Sequence, residues 1–174
     1  MRDLLTLVLV LALAGIEAIL WIGNPLHVPG RFVTARALGL QLFDEPGTSM
    51  EPAVPRGSRI LVTAWPYWRH APRVGDIVAF IYPPDPSRAD LKRIAAAGGS
   101  SVEIRDGVLY VDGHPQSAAD VEGGGARRLR RLVVPRDHYF VLGDNPDRSA
   151  DSRDYGLIAR DRIIGERWLQ IATR

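Results

Sequence analysis

An uninterrupted apolar stretch opens the chain, from Leu4 to Ile22, and Glu17 is the one charged residue in it. As an α-helix at about 1.5 Å per residue, this stretch would measure about 29 Å, close to the hydrocarbon thickness of a bilayer. Trp21 suits the membrane interface, where aromatic rings are favoured. The pattern predicts a transmembrane anchor. A cleavable signal peptide is the alternative, since Ala12-Leu13-Ala14 has the form of a cleavage site, but the apolar run continues beyond it.

Short apolar runs separated by Gly, Pro and Asp fill the rest of the chain, a pattern typical of strands joined by tight turns. Asp106-Gly107 lies between two such runs and predicts a hairpin, because a type I′ turn needs positive φ at its central residues. Asp112-Gly113 then ends the return strand. No soluble stretch shows a helical period over ten residues. Strands are predicted at Arg59–Val62, Ile77–Phe80, Val102–Arg105, Val108–Val111 and His138–Leu142, with a last strand from Arg162.

The predicted fold class is therefore mostly β, an antiparallel sheet domain with one N-terminal transmembrane helix. We divide the chain into an anchor over residues 1–22, a linker rich in Gly and Pro over 23–37, and a β-rich domain over 38–174. Residues 100–135 of that domain hold the hairpin and a basic loop. The loop has three glycines followed by four arginines; we interpret it as solvated, and contact with anionic lipid is the alternative.

Composition excludes several kinds of chemistry and several classes of protein. Hydrophobic residues at 46% and charged residues at 24% exclude a disordered chain, and the absence of cysteine excludes disulfides and thiolate catalysis. A net charge of +2 gives no ground to expect nucleic acid. The segment 143–156 contains four aspartates, but it lacks the Gly and Glu positions of a calcium-binding loop. We predict neither a metal site nor a cofactor.

Of the 22 basic residues, 21 are arginine and Lys92 is the one lysine. Arginine cannot be deprotonated in a protein, whereas a buried lysine can. The count suggests a position that needs a removable proton, although chance in an arginine-rich chain would give the same count. On a strand, Lys92 and Arg93 would point to opposite faces, so that Lys92 could be enclosed while Arg93 stays solvated or paired.

Ser49 lies in a turn between Pro46-Gly47 and Pro52, where a hydroxyl can be exposed and backbone N–H groups can face a developing oxyanion. A serine in such a turn is by itself a weak signal. A second arrangement stays open from the sequence, a Ser-His-Asp triad made of Ser49, His138 and Asp144.

Four segments in order resemble type I signal peptidases, which are membrane-anchored serine proteases with a Ser–Lys dyad: Ser49-Met50-x-Pro52, Gly75–Phe80, Lys92-Arg93, and Gly143-Asp144-Asn145 with Ser149, Asp151, Ser152 and Arg153. The resemblance implies a largely antiparallel β fold and no cofactor. It also implies that the partners are preprotein signal peptides, cut after Ala-x-Ala, and the lipid bilayer. The expected location is the outer face of a bacterial cytoplasmic membrane.

The resemblance also implies individual roles. Ser49 is expected to be the nucleophile and Lys92 the general base, with Ser149 orienting the amine. Asp151 and Arg153 are expected to form an ion pair in the last loop, which Asp144 could join. Many family members have a serine where this chain has Gly47, so a side-chain donor to the oxyanion is lost here and the Ser49 N–H must serve.

Met50, Phe43 and Leu91 are predicted to line small apolar pockets that accept alanine and exclude bulky side chains. The lysine must act as a neutral base, which requires its ordinary pKa of about 10.4 to fall to about 7–8 through burial. Two other functions stay open: a peptidase dedicated to pilin or conjugation-system maturation, and a non-catalytic relative that binds export clients. A self-cleaving Ser–Lys repressor is disfavoured by the apolar anchor.

Overall fold

Residues 39–116 and 128–171 are described by the computed structural model of the protein, and they form eleven strands with a few short helical turns. The strands are β1 (Leu40–Asp44), β2 (Arg59–Thr63), β3 (Ile77–Ile81), β4 (Ala89–Ala97), β5 (Ser101–Arg105), β6 (Val108–Val111), β7 (His114–Pro115), β8 (Leu129–Val133), β9 (His138–Leu142), β10 (Ile158–Ala159) and β11 (Ile163–Ile171). One α-helical turn, α1, spans Ser152–Tyr155, and 3-10 turns span Trp65–Trp68, Pro146–Arg148 and Arg160–Arg162.

A seven-stranded sheet carries the larger part of the fold, in the order β1-β2-β11-β3-β4-β9-β10. All of its pairings are antiparallel. The last strand of the chain, β11, lies between β2 and β3, and its register shifts between Ile163 and Gly165. A Cβ at Gly165 would overlap the Thr63 backbone, so glycine lets β11 approach β2 closely here.

The second sheet has four strands in the order β7-β6-β5-β8 and contains the predicted hairpin. Asp106 and Gly107 have φ values of 50° and 79°, as the central residues of a type I′ turn require. Asp112 and Gly113 repeat this conformation, with φ values of 52° and 81°, between β6 and β7. Both Asp-Gly pairs are therefore turns, as predicted.

Buried residues cover both faces of the larger sheet, which explains why every residue of β3 is buried. On one face, Ile77 and Ala79 pack with Met50, Ile60 and other apolar side chains. The opposite face has its own cluster, made of Val78, Phe80, Ile94, Tyr139, Val141 and Ile158. Strand β4 lies between β3 and β9 and is therefore held firmly on both edges.

The predicted mostly antiparallel β fold is confirmed. The strands expected near residues 59, 77, 102, 108 and 138 are present, while the last strand begins at Ile163 because Arg162 belongs to a 3-10 turn. The predicted anchor (1–22), the linker (23–37) and the glycines of the basic loop lie outside the described residues. Within residues 39–116 and 128–171, no helix is long and apolar enough to cross a bilayer.

Candidate active site

Ser49 and Lys92, 43 positions apart in the chain, meet beside β4, an interior strand of the larger sheet. Lys92 Nζ lies 3.1 Å from Ser49 Oγ, which is a hydrogen-bond distance. Ser49 belongs to the turn that follows β1, and Lys92 lies in the middle of β4, paired with Val78 of β3. The nucleophile candidate is thus on a loop, while the base candidate is fixed by a strand with neighbours on both sides.

Lys92 is almost completely buried, with 2% of its side chain exposed. Its Nζ has two further partners, Asp90 Oδ1 at 2.7 Å and the Leu91 carbonyl oxygen at 3.0 Å. Arg93 lies on the opposite face and makes a bidentate pair with Asp144, with distances of 2.8 and 2.6 Å. The predicted separation of an enclosed Lys92 from a paired Arg93 is therefore present.

A cavity of about 270 Å³ opens beside this contact, and both Ser49 and Lys92 line it. Phe43 and Leu91, two of the residues predicted to bind substrate, are in its wall. Met50 is not, because its side chain turns away from Ser49 into the core and is completely buried there. The expectation that Met50 lines the pocket is wrong; it packs within the core next to the nucleophile turn.

Charged side chains form part of the same wall. Glu45, Asp90 and Arg88 all line the cavity. Burial raises the pKa of the Glu45 carboxyl, although its contact with the Gly47 N–H and the charge of Lys92 act in the opposite direction. The Gly47 N–H donates to Glu45 Oε1 at 3.0 Å and is therefore already satisfied. In this conformation it cannot replace the side-chain donor that Gly47 lacks.

The loop between β9 and α1 is held by a buried ion pair between Asp151 and Arg153. Arg153 Nε and Nη2 each lie 2.8 Å from an oxygen of Asp151, whose side chain is fully buried. Asp151 also accepts from the Gly143 N–H at 3.1 Å and caps α1. Arg153 Nη2 donates to the Pro146 carbonyl oxygen at 3.0 Å. The expected pair is present, and Asp144 stays outside it because it pairs with Arg93.

Ser149 is buried next to the turn that carries Ser49, but it does not make the hydrogen bond expected of it. Its Oγ has no hydrogen-bond partner in the described part of the chain. The side chain packs against Gly143, where a Cβ would also lie 2.5 Å from the Ser49 carbonyl oxygen. Ser149 therefore packs beside the site, and the contact expected between it and Lys92 is made by Asp90, a residue that the sequence analysis missed.

The Ser-His-Asp alternative is excluded by the strand between its members. His138 begins β9 and Asp144 lies beyond its end, about 20 Å away at 3.3 Å per residue. His138 Nδ1 contacts the Arg136 carbonyl oxygen, and Asp144 pairs with Arg93. No imidazole in this arrangement can reach Ser49 with Asp144 behind it.

A serine hydroxyl beside a buried lysine in a cavity is an arrangement suited to nucleophilic catalysis with an amine as the base. Comparison with known proteins agrees with this class. The family model described as "Signal peptidase, peptidase S26" matches residues 16–171. The chain belongs to this family.

Relatives of the chain carry peptidase names. It is 35% identical over 128 residues to "Probable signal peptidase I-1" of Synechocystis sp., covering 69% of this chain and 65% of that protein. It is 34% identical over 130 residues to "Thylakoidal processing peptidase 1, chloroplastic" of Arabidopsis thaliana, covering 69% and 38%. A crystal structure of a signal peptidase I from Enterococcus faecalis V583 has 30% identity and a TM-score of 0.45, covering 56% of this chain and 97% of that one. The chain thus spans less than two thirds of the first two relatives.

Proposed function

We propose that this protein is a membrane-anchored serine endopeptidase that removes N-terminal signal peptides from exported preproteins and cuts after Ala-x-Ala. The observation that carries the proposal is the 3.1 Å contact between Lys92 Nζ and Ser49 Oγ in a cavity open to substrate. Membership of the signal peptidase family supports the class of substrate. The catalytic site would lie at the outer face of a bacterial cytoplasmic membrane.

In the proposed reaction, Ser49 and Lys92 exchange one proton. The neutral amine removes the proton from Ser49 Oγ as the oxygen attacks the scissile carbonyl carbon. The new ammonium gives that proton to the leaving amine, the C–N bond breaks, and an acyl-enzyme remains on Ser49. A water molecule then gives its proton to Lys92 and attacks the ester, after which Ser49 Oγ leaves and is protonated again. Each half of the cycle therefore passes one proton to the buried amine and one proton on from it.

Substrate choice would follow from the shape of the cavity. Phe43 and Leu91, together with Ala79, form apolar wall beside the two catalytic candidates. We expect this apolar wall, where it lies beside the scissile bond, to admit small side chains and to reject bulky ones by overlap. The charged residues of the wall can form hydrogen bonds with the backbone of a bound peptide, and backbone groups need such partners when they are buried.

The experiment that tests the proposal is incubation of the detergent-solubilised full chain with a panel of preproteins. We expect one cut after Ala-x-Ala, and a loss of cleavage when the residue before the cut is changed to a bulky one. Ser49→Ala, purified in the same way, is the control for contaminating proteases. Cleavage of a single pilin-like client would identify the dedicated peptidase instead, and binding without cleavage would identify the non-catalytic relative. Either result would contradict the proposal.

We further expect the domain to lie against the bilayer through exposed tryptophans. Trp65, Trp68 and Trp168 are 41%, 68% and 58% exposed, and the rings of Trp65 and Trp168 lie 5.9 Å apart. Amphipathic aromatic rings favour the headgroup region. In full chain reconstituted after Trp21→Phe, brominated lipids should quench the fluorescence of these residues strongly. Quenching by aqueous iodide but not by brominated lipid would contradict this orientation.

A further inference from the structure

We propose that Asp90 is a positioning residue for the reaction, one that turns the lone pair of the Lys92 amine towards Ser49. The inference rests on the proposed function, because it assigns a partner to the base of that same site. It is carried by the contact between Lys92 Nζ and Asp90 Oδ1, at 2.7 Å the shortest that the amine makes in the described residues.

The three partners of the amine differ in what they can do. The Asp90 carboxylate and the Leu91 carbonyl oxygen accept hydrogen bonds but cannot donate, whereas the Ser49 hydroxyl can do both. A neutral amine has two N–H donors and one lone pair. When the two donors serve Asp90 and Leu91, the lone pair is left facing Ser49 Oγ–H. The geometry therefore directs the base at the proton that it must remove.

Strand geometry makes Asp90 suited to this role. Asp90 and Lys92 are two residues apart on β4, so their side chains leave the same face of the sheet. The carboxylate is itself held, because the Leu91 N–H donates to Asp90 Oδ1 at 2.8 Å. Only 24% of the Asp90 side chain is exposed. A fixed carboxylate restricts the rotation of a long lysine side chain better than a solvated one.

Ser149 does not supply this restraint here. Its Oγ is buried and has no hydrogen-bond partner in the described residues, while every contact of the amine goes to Asp90, Leu91 or Ser49. The orienting contact that the family resemblance assigns to Ser149 is thus made from within β4. The Lys92 amine is held by the carboxylate of Asp90 rather than by the hydroxyl of Ser149, and the carboxylate adds a negative charge to the site.

The Asp90 carboxylate, 2.7 Å from Lys92 Nζ, places an opposite charge directly beside the amine. The other ionisable groups in the cavity wall are Glu45, Asp44, Arg88 and Tyr82, and Tyr155 is coupled electrostatically to Asp90. Asp44 pairs with Arg59, and the Arg88 guanidinium lies over the Tyr82 ring. Among these groups, Asp90 is the one in direct contact with the amine.

The single lysine allows a direct test, because ¹³C-labelled lysine gives one side-chain NMR signal in the full chain in detergent. We expect Asp90→Ala to move and broaden that signal, because the amine loses its shortest contact and the lysine side chain gains rotational freedom. We expect kcat for preprotein cleavage to fall by about 10-fold or more with KM little changed, since a misdirected base slows the reaction without weakening substrate binding. Asp90→Asn keeps an acceptor oxygen in the same place and should recover most of kcat. Asp161→Asn removes an exposed carboxylate outside the cavity and should change neither the signal nor kcat.

The outcomes separate the two proposals. An unmoved lysine signal in Asp90→Ala would overturn the role of Asp90, whatever the activity, because the amine would not depend on that contact. Equal losses of kcat in Asp90→Ala and Asp90→Asn would likewise overturn it, since the acceptor oxygen kept in Asp90→Asn should rescue a positioning contact. A moved and broadened signal in Asp90→Ala with no cleavage by any form would leave the contact intact and defeat the proposed function. Asp90→Ser provides a second variant should Asp90→Ala fail to fold.

Discussion

Replacing Lys92 by arginine should abolish preprotein cleavage, although the positive charge is kept. A positioned general base contributes about 10²–10⁴-fold to rate, and arginine cannot become neutral to act as one. The planar guanidinium also has donors only and no lone pair to present to the Ser49 hydroxyl. We expect kcat/KM to fall by about 10³-fold or more, measured as product formed from an Ala-x-Ala preprotein by the full chain in detergent.

Two further variants sharpen this result. The double variant Ser49→Ala/Lys92→Arg should be no slower than Ser49→Ala alone, because groups that act as one unit are not additive. Arg93→Lys is the matched control: it changes the next residue of β4, which lies on the opposite face and pairs with Asp144, and it should keep cleavage activity. Normal turnover by Lys92→Arg would defeat the assignment of Lys92 as the base.

Turn chemistry and alternation were enough to predict the strands that have clear signals of both kinds. The two Asp-Gly turns and the apolar runs around them identified β5 and β6, because positive φ and period-two burial are local properties. The missed strands lack those signals. Strand β8, Leu129–Val133, has four exposed residues out of five, and β10 has two residues in all. The placement of β11 between β2 and β3 is a long-range pairing that no local pattern encodes.

The residues of the site likewise divide into those that a local sequence pattern predicts and those that depend on the tertiary fold. Alternation alone predicted that Lys92 and Arg93 would lie on opposite faces of β4. The same rule places Asp90, two residues before Lys92, on the face of Lys92. The approach of Ser49 to Lys92 came only from the family resemblance, since a separation of 43 positions in the chain says nothing about distance in the fold. Met50 and Ser149 differ from expectation because the direction of a side chain in a loop depends on packing, which the sequence does not display.

The largest effect on stability should come from Arg153→Met. This change leaves the fully buried Asp151 carboxylate without its counter-ion and removes the donor to the Pro146 carbonyl oxygen. Breaking one side of a buried ion pair costs about 3–5 kcal/mol, because the remaining charge has lost both water and partner. Asp151 also caps α1 and binds the Gly143 N–H, so the whole loop beside Ser49 depends on it. The free energy of unfolding, from urea denaturation followed by circular dichroism, should fall by that amount.

An exposed ion pair of the same residue types provides the matched control. Arg59 contacts Asp44 at 2.8 Å, as short as the contacts in the buried pair, but the two side chains are 47% and 75% exposed. Solvated pairs contribute about 0–1 kcal/mol, so Arg59→Met should change the free energy of unfolding little. Both pairs join an arginine to an aspartate at 2.8 Å, so a difference in stability between the two variants reports the effect of burial. Equal losses in Arg153→Met and Arg59→Met would show that the loop next to Ser49 is not held by the buried charge of Asp151.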